Sequence, residues 1–185
     1  MASTYSSLKI ELIGTGDQSG TWGTTTNNNF QYAIEQAITG TVDVAFSSAD
    51  VTLTLTDTNA PQNARALRLN LTGTSGGARN LTVPAIAKQY IVSNNLADPV
   101  TIKNSTGTGV VIPAGSSLMV FNNATNVLPA FNSIPVSATV TLKFPSTGGT
   151  NGQVLTTDGT GNLSWATSSG ISTGKAIAMS MIFGF

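Results

Sequence analysis

The 185-residue chain is 40% hydrophobic, enough to build a core, yet only 9% of it is charged, with eight basic residues against eight acidic ones; an average soluble domain carries about 25%. Thr, Ser, Asn and Gly replace the missing charge, and the zero net charge with scattered Lys and Arg leaves no electrostatic footprint for a phosphate backbone, so nucleic-acid binding is not expected. With no cysteine and no histidine, disulfides, thiolate nucleophiles, Cys/His metal sites and His-based acid–base catalysis are excluded.

No apolar run approaches the ~20 residues of a membrane-spanning helix, so no membrane insertion is expected. The start, Met1-Ala2-Ser3-Thr4-Tyr5, lacks the charged and apolar regions of a secretory signal. The expectation is a protein made in the cytoplasm of its producer. Low charge also tolerates close self-association, a pointer toward an oligomer.

In chain order, residues 6–13 alternate around Leu8, Ile10 and Leu12 and predict a short strand or arm, ending at the glycine-rich loop 14–20. Trp22 follows between Gly20 and Gly23, which leave the indole room to dock on a neighbouring surface. Phe30, Ala33, Ile34, Ala37 and Ile38 fall on one face at helical spacing, with Asn28 as N-cap and Gly40 as stop. A single apolar stripe on a short helix must lie against something else.

From Thr41 the period becomes two. Residues 51–56 and 67–72 alternate and predict half-buried antiparallel strands, followed by short runs at 81–83, 89–92, 100–102, 110–112 and 118–121 between turn clusters. The expected architecture is mainly β: a small antiparallel sandwich or barrel over 41–132, preceded by an arm and helix over 1–40 and followed by a fibrous β region over 133–185. In that last region a strand around Val136–Phe144 leads to a hairpin, Gly152–Trp165, with an Asp-Gly turn. A lone hairpin is marginal in water; Trp165 lying on Val154 and Leu155, or the same unit from other copies, is expected to hold it. The end of the chain, 175–185, is almost wholly apolar, with Ile177, Met179, Met181, Phe183 and Phe185 alternating with mostly small residues. It packs on its own domain or completes a core shared among copies.

The acidic residues Glu11, Asp17, Glu35, Asp43, Asp50, Asp57, Asp98 and Asp158 form no convergent pair of the kind a glycosidase needs. Gly14-Thr15-Gly16 lacks the Lys of a phosphate loop. No catalytic residue, cofactor or metal is therefore expected. Trp22 and Trp165 read as anchors or, alternatively, as platforms for sugars. Arg65, Arg68 and Arg79 read as a polar strand face or, alternatively, as a site for an acidic polysaccharide.

Three stretches carry a resemblance: Glu11-Leu12-Ile13-Gly14-Thr15-Gly16-Asp17-Gln18-Ser19-Gly20-Thr21-Trp22-Gly23 with Glu35-Gln36-Ala37-Ile38; Tyr90-Ile91-Val92-Ser93-Asn94-Asn95 through Val111-Ile112-Pro113-Ala114-Gly115; and Gly152-Gln153-Val154-Leu155-Thr156-Thr157-Asp158-Gly159 to Leu163-Ser164-Trp165. Together they resemble tail-fibre and related virion proteins of marine and cyanobacterial bacteriophages. The resemblance implies an intertwined homotrimer attached to the virion by its N-terminal part, with Trp22, Phe30, Ile34, Ile38, Trp165, Ile177, Met179, Met181, Phe183 and Phe185 as candidate assembly anchors. The implied partners are other copies of the chain, tail or capsid proteins and, in some members, a host surface glycan. The sequence departs from longer members by stopping at Phe185, without a large receptor-binding tip, so an anchoring, connecting or decorating role is expected on a par with direct host recognition. A head fibre or capsid decoration protein is the alternative; a glycan-binding module or polysaccharide-cleaving spike ranks below it.

Overall fold

A computed structural model describes residues 2–131, 133–135 and 141–168. The chain is mainly β and divides into two compact units, Met1–Ala130 and Phe131–Phe185. The first unit opens with a two-stranded hairpin, β1 (Thr4–Tyr5) and β2 (Glu11–Leu12), and one helix in three consecutive parts: Trp22–Asn29, a π-helical turn Phe30–Glu35, and Gln36–Thr39. The helix thus begins six residues before the expected Asn28 cap. Gly40 does end it, but in an extended conformation (φ −64°), and the need for glycine is steric: a Cβ there would sit 2.6 Å from the Gln36 carbonyl oxygen.

Nine strands follow: β3 (Thr41–Ser47), β4 (Val51–Thr52), β5 (Arg68–Thr74), β6 (Arg79–Thr82), β7 (Ala87–Asn94), β8 (Val100–Lys103), β9 (Gly109–Ile112), β10 (Ser117–Asn123) and β11 (Val127–Pro129). Up to β8 they alternate between two sheets, ordered β11-β10-β7-β5-β3 and β4-β6-β8-β9. The pairs β3–β5, β5–β7, β4–β6 and β6–β8 are all parallel. This corrects the expected antiparallel sandwich: the chain winds through three coils, each contributing one strand to either sheet, and returning to the same sheet in the same direction makes neighbours parallel. Only the end reverses, with β9 antiparallel to β8 and β10 antiparallel to both β7 and β11. Of the predicted strand 51–56, only Val51–Thr52 belongs to a sheet.

Parallel register stacks like on like. Val42, Leu69 and Val92 form one inward row, and Val51, Leu81 and Ile102 the matching row of the other sheet. The two inner faces share one core that includes Phe46, Leu69, Leu71, Leu81, Tyr90, Val92, Ile102, Ile112 and Val120. Each such side chain contributes about 1.5–3 kcal/mol before entropy is subtracted.

Asparagine closes the corners where the chain passes between sheets. Buried Asn94 donates to the carbonyls of Asp98 (3.0 Å) and Ile112 (2.9 Å) and accepts from the Leu96 amide (3.1 Å). Asn104 and Asn122 exchange amide hydrogen bonds of 3.0 and 2.9 Å in the interior. The Asn94 bonds satisfy buried backbone groups, and the Asn104–Asn122 bonds satisfy two buried side-chain amides with each other.

The second unit, among its described residues, holds two hairpins: β12 (Ser133–Pro135) with β13 (Thr141–Lys143), and β14 (Gln153–Thr157) with β15 (Leu163–Thr167). A bridge from Lys143 to Asn162 links them. The strand expected over Val136–Phe144 falls partly on 136–140, and the apolar end 175–185 entirely on 169–185; both stretches lie outside the described residues.

Candidate assembly surfaces

The helix is held to the coils by polar groups on its body-facing side, and this fixes which face is left outside. Arg65, in a 3-10 turn (Asn63–Arg65), is only 1% exposed. Its Nε donates to the Leu8 carbonyl (3.1 Å), Nη1 to those of Tyr32 (3.1 Å) and Ala60 (2.9 Å), and Nη2 to those of Lys9 (2.6 Å) and Thr58 (2.9 Å). All five guanidinium N–H groups are thus used, and one side chain joins arm, helix and the long loop of the first coil. Burial lowers its pKa from the ordinary value. The expectation of a surface arginine is overturned for Arg65: five converging carbonyls replace water.

Around it, Asn29 pairs with both backbone groups of Glu11, accepting from its N–H (3.1 Å) and donating to its C=O (2.8 Å), as a neighbouring strand would. The buried Glu11 carboxylate accepts from Gln18 Nε2 (2.7 Å) and Asn59 Nδ2. Lys9 and Asp57 form an ion pair of 2.8 Å beside the arm.

With Asn29, Tyr32 and buried Ala33 turned to the body, the large apolar residues turn away from it. Phe30 is 58% and Ile38 63% exposed; Ile34 is half-buried, and these three line a groove with Asn27, Gln31 and Glu35. The expected buried face, with Phe30, Ala33, Ile34, Ala37 and Ile38 together, is therefore split: the alanines pack inward, where their small size lets the helix approach, and the bulky members remain outside. The π turn shifts the angular register along Phe30–Glu35. Trp22, at the start of the helix, is 63% exposed.

A second apolar surface was not legible as such in the sequence. On the outer face of the five-stranded sheet, Met119 pairs with Ile91, which pairs with Arg68, and Phe121 pairs with Leu128. Met119, Phe121 and Leu128 are exposed, Ile91 partly so. The run Ser117–Asn123 has large apolar residues at both alternating sets, so period two alone did not tell inside from outside.

In the second unit, Trp165 stands directly across from Leu155, while Val154 pairs with Ala166 on the other face of the hairpin. The indole donates from Nε1 to the Thr147 carbonyl (2.8 Å) and lies flat on Gly149, where a Cβ would meet the ring at 2.6 Å. Even so, Val154, Leu155 and Trp165 stay 37–45% exposed, and no apolar side chain of this unit is fully buried among the described residues. The remaining candidate anchors, Ile177, Met179, Met181, Phe183 and Phe185, lie outside the described residues.

Three aspartates near turns are engaged structurally. Asp50 accepts from the amide and side chain of Asn80 (2.9 Å each), Asp98 from Ser75 Oγ (2.7 Å) and the Gly77 amide (2.8 Å), and Asp158 from the Asn162 side chain and the Thr160 amide. These bonds hold all three below the ordinary carboxylate range. Arg79 caps the Ser75 and Gly76 carbonyls (2.6 and 2.9 Å). Among the described residues no three Asp or Glu cluster as a metal site would require. Comparison with protein-family models, curated proteins and solved structures finds no match.

Proposed function

We propose that the chain is a structural subunit of a bacteriophage particle, a short tail fibre or a fibre-anchoring and connecting subunit that acts by assembling with copies of itself as a homotrimer. The virion context rests on the resemblance of its sequence motifs. The self-assembly rests on one structural observation above all: a hairpin unit that carries Val154, Leu155 and Trp165 in its described part and buries none of them. A hairpin with apolar groups on both faces gains stability only when other surfaces cover them. The exposed helix stripe supports the same reading at the other end of the described chain.

The test has two parts. Light scattering and sedimentation on the purified full chain at micromolar concentration should give the mass of a trimer; a monomer sinks the assembly reading. Gold labelling of the protein in intact particles should then mark the tail. Label over the capsid shell alone would move the assignment to a head fibre or decoration protein, and label on neither would remove it from the virion.

A further inference from the structure

Of the chain's eight acidic residues, Glu35 alone has a carboxylate with neither hydrogen bond nor ion pair among the described residues; the other seven are each held by a named partner. It stands within the apolar groove of the helix, beside Ile34 and Ile38. An unpaired charge set in an apolar stripe implies a cation brought by whatever covers the stripe.

The chain carries a matching arrangement of opposite sign. Arg68 is exposed and uses Nε on Ser93 Oγ (3.1 Å), with its two Nη groups free among the described residues. It lies in one cross-strand row with Ile91 and Met119, and Phe121 and Leu128 continue the same outer face two and three strands away. Lys103 and Lys143 also have unbonded ammonium groups among the described residues, but their cross-strand partners are Thr82 and Gly109, and Ser133, none of them a large apolar residue. Within one copy Glu35 and Arg68 form no ion pair, although the Leu67 amide donates to the Gln36 carbonyl one residue away from each.

We propose that the Phe30–Ile34–Ile38 stripe of one copy docks on the Ile91–Met119–Phe121 face of a second copy, with Glu35 of the first paired to Arg68 of the second. The occupant is a second copy because the same chain supplies both halves: two exposed apolar surfaces, each carrying one charge without an ion-pair partner among the described residues, and of opposite sign. The contact is heterologous, helix on sheet, so it propagates around a ring or along a filament and does not close as a twofold dimer. This inference rests on the self-assembly reading above and specifies its mode.

The test is charge reversal and mixing, on the full chain, read by sedimentation velocity. Glu35→Arg alone and Arg68→Glu alone each place like charges across the contact, and each should weaken assembly about tenfold. An equimolar mixture of the two variants restores opposite charges wherever unlike copies meet, two of the three contacts in a mixed trimer, and should recover part of the lost assembly, which pairing within one copy cannot achieve. A mixture as dissociated as its components, with the wild type assembled and all circular dichroism spectra alike, overturns the docking mode and leaves self-assembly standing. A monomeric wild type overturns both. Should either reversal variant lose its fold, Glu35→Gln and Arg68→Gln replace the pair: weakened assembly in both is the expected result, and unchanged assembly overturns the proposal.

Discussion

Arg65 has more structural connections than any other charged side chain described. Truncation of Arg65 to alanine removes donors from five carbonyls at once, those of Leu8, Lys9, Tyr32, Thr58 and Ala60. Each buried carbonyl left without its donor costs about 1–3 kcal/mol; urea denaturation of Arg65→Ala should register a loss of at least that order, with the arm released to proteolysis before the coils unfold. Lys88 is a second cation that burial disfavours, held by fewer partners. Its ammonium lies over the Tyr90 ring at 4.5 Å and donates to the Gln89 carbonyl (3.1 Å), and burial lowers its pKa from 10.5 to about 8. Between those two values the unfolded chain holds the proton and the folded chain has released it. Stability therefore rises with pH across this window. Tyr90, whose pKa burial raises from 10.0, opposes the trend above pH 10, because there the unfolded chain ionises first. Denaturation midpoints should climb from about pH 8 to pH 10, and Lys88→Met should flatten the climb; an unchanged slope in that variant would remove Lys88 as its source.

At the scale of an element, the coil depends on neighbouring strands meeting at close range. Gly73, in β5, has φ +94° and lies against the Phe46 backbone of β3, so that a Cβ would collide with the Phe46 carbonyl oxygen. Gly77 has φ +113° with nothing within 4 Å of a Cβ. Both Gly→Ala variants incur the backbone penalty of about 1–3 kcal/mol, but only Gly73→Ala adds the clash. Its chemical denaturation midpoint should fall further than that of Gly77→Ala; equal losses would mean that β3 moves aside without cost. The helix carries a related lesson. Its existence and its stop at Gly40 were legible from the spacing of Phe30, Ile34 and Ile38. Which side faces the body was not, because the Asn29 side chain and the Tyr32 carbonyl meet groups contributed by Glu11 and Arg65, distant in sequence and of no visible periodicity.

For the whole molecule, the proposed assembly assigns a role to the apolar residues 175–185. Deleting them should weaken or abolish oligomerisation in light scattering while the coiled β region keeps its far-ultraviolet spectrum and melting transition. A truncated chain that stays fully oligomeric and equally heat-stable would shift assembly to the helix stripe and the outer sheet face. The mainly β character, the single N-terminal helix and the Trp165 hairpin followed from composition and short-range periodicity alone. These depend on residues within one turn or one strand of each other, where side-chain alternation and glycine positions act directly. Strand direction did not follow, since a strand with one face buried alternates identically whether its neighbour runs with it or against it. Nor did the coils announce themselves as a repeat: the register sets Thr41 against Arg68 but Arg68 against Ile91, so connections of unequal length spoil any fixed period. The burial of Arg65, the outward turn of Phe30 and Ile38, and the exposed row of Arg68, Ile91 and Met119 were decided by the tertiary structure, because each depends on which distant carbonyls, strands and carboxylates the winding of the chain brings within reach.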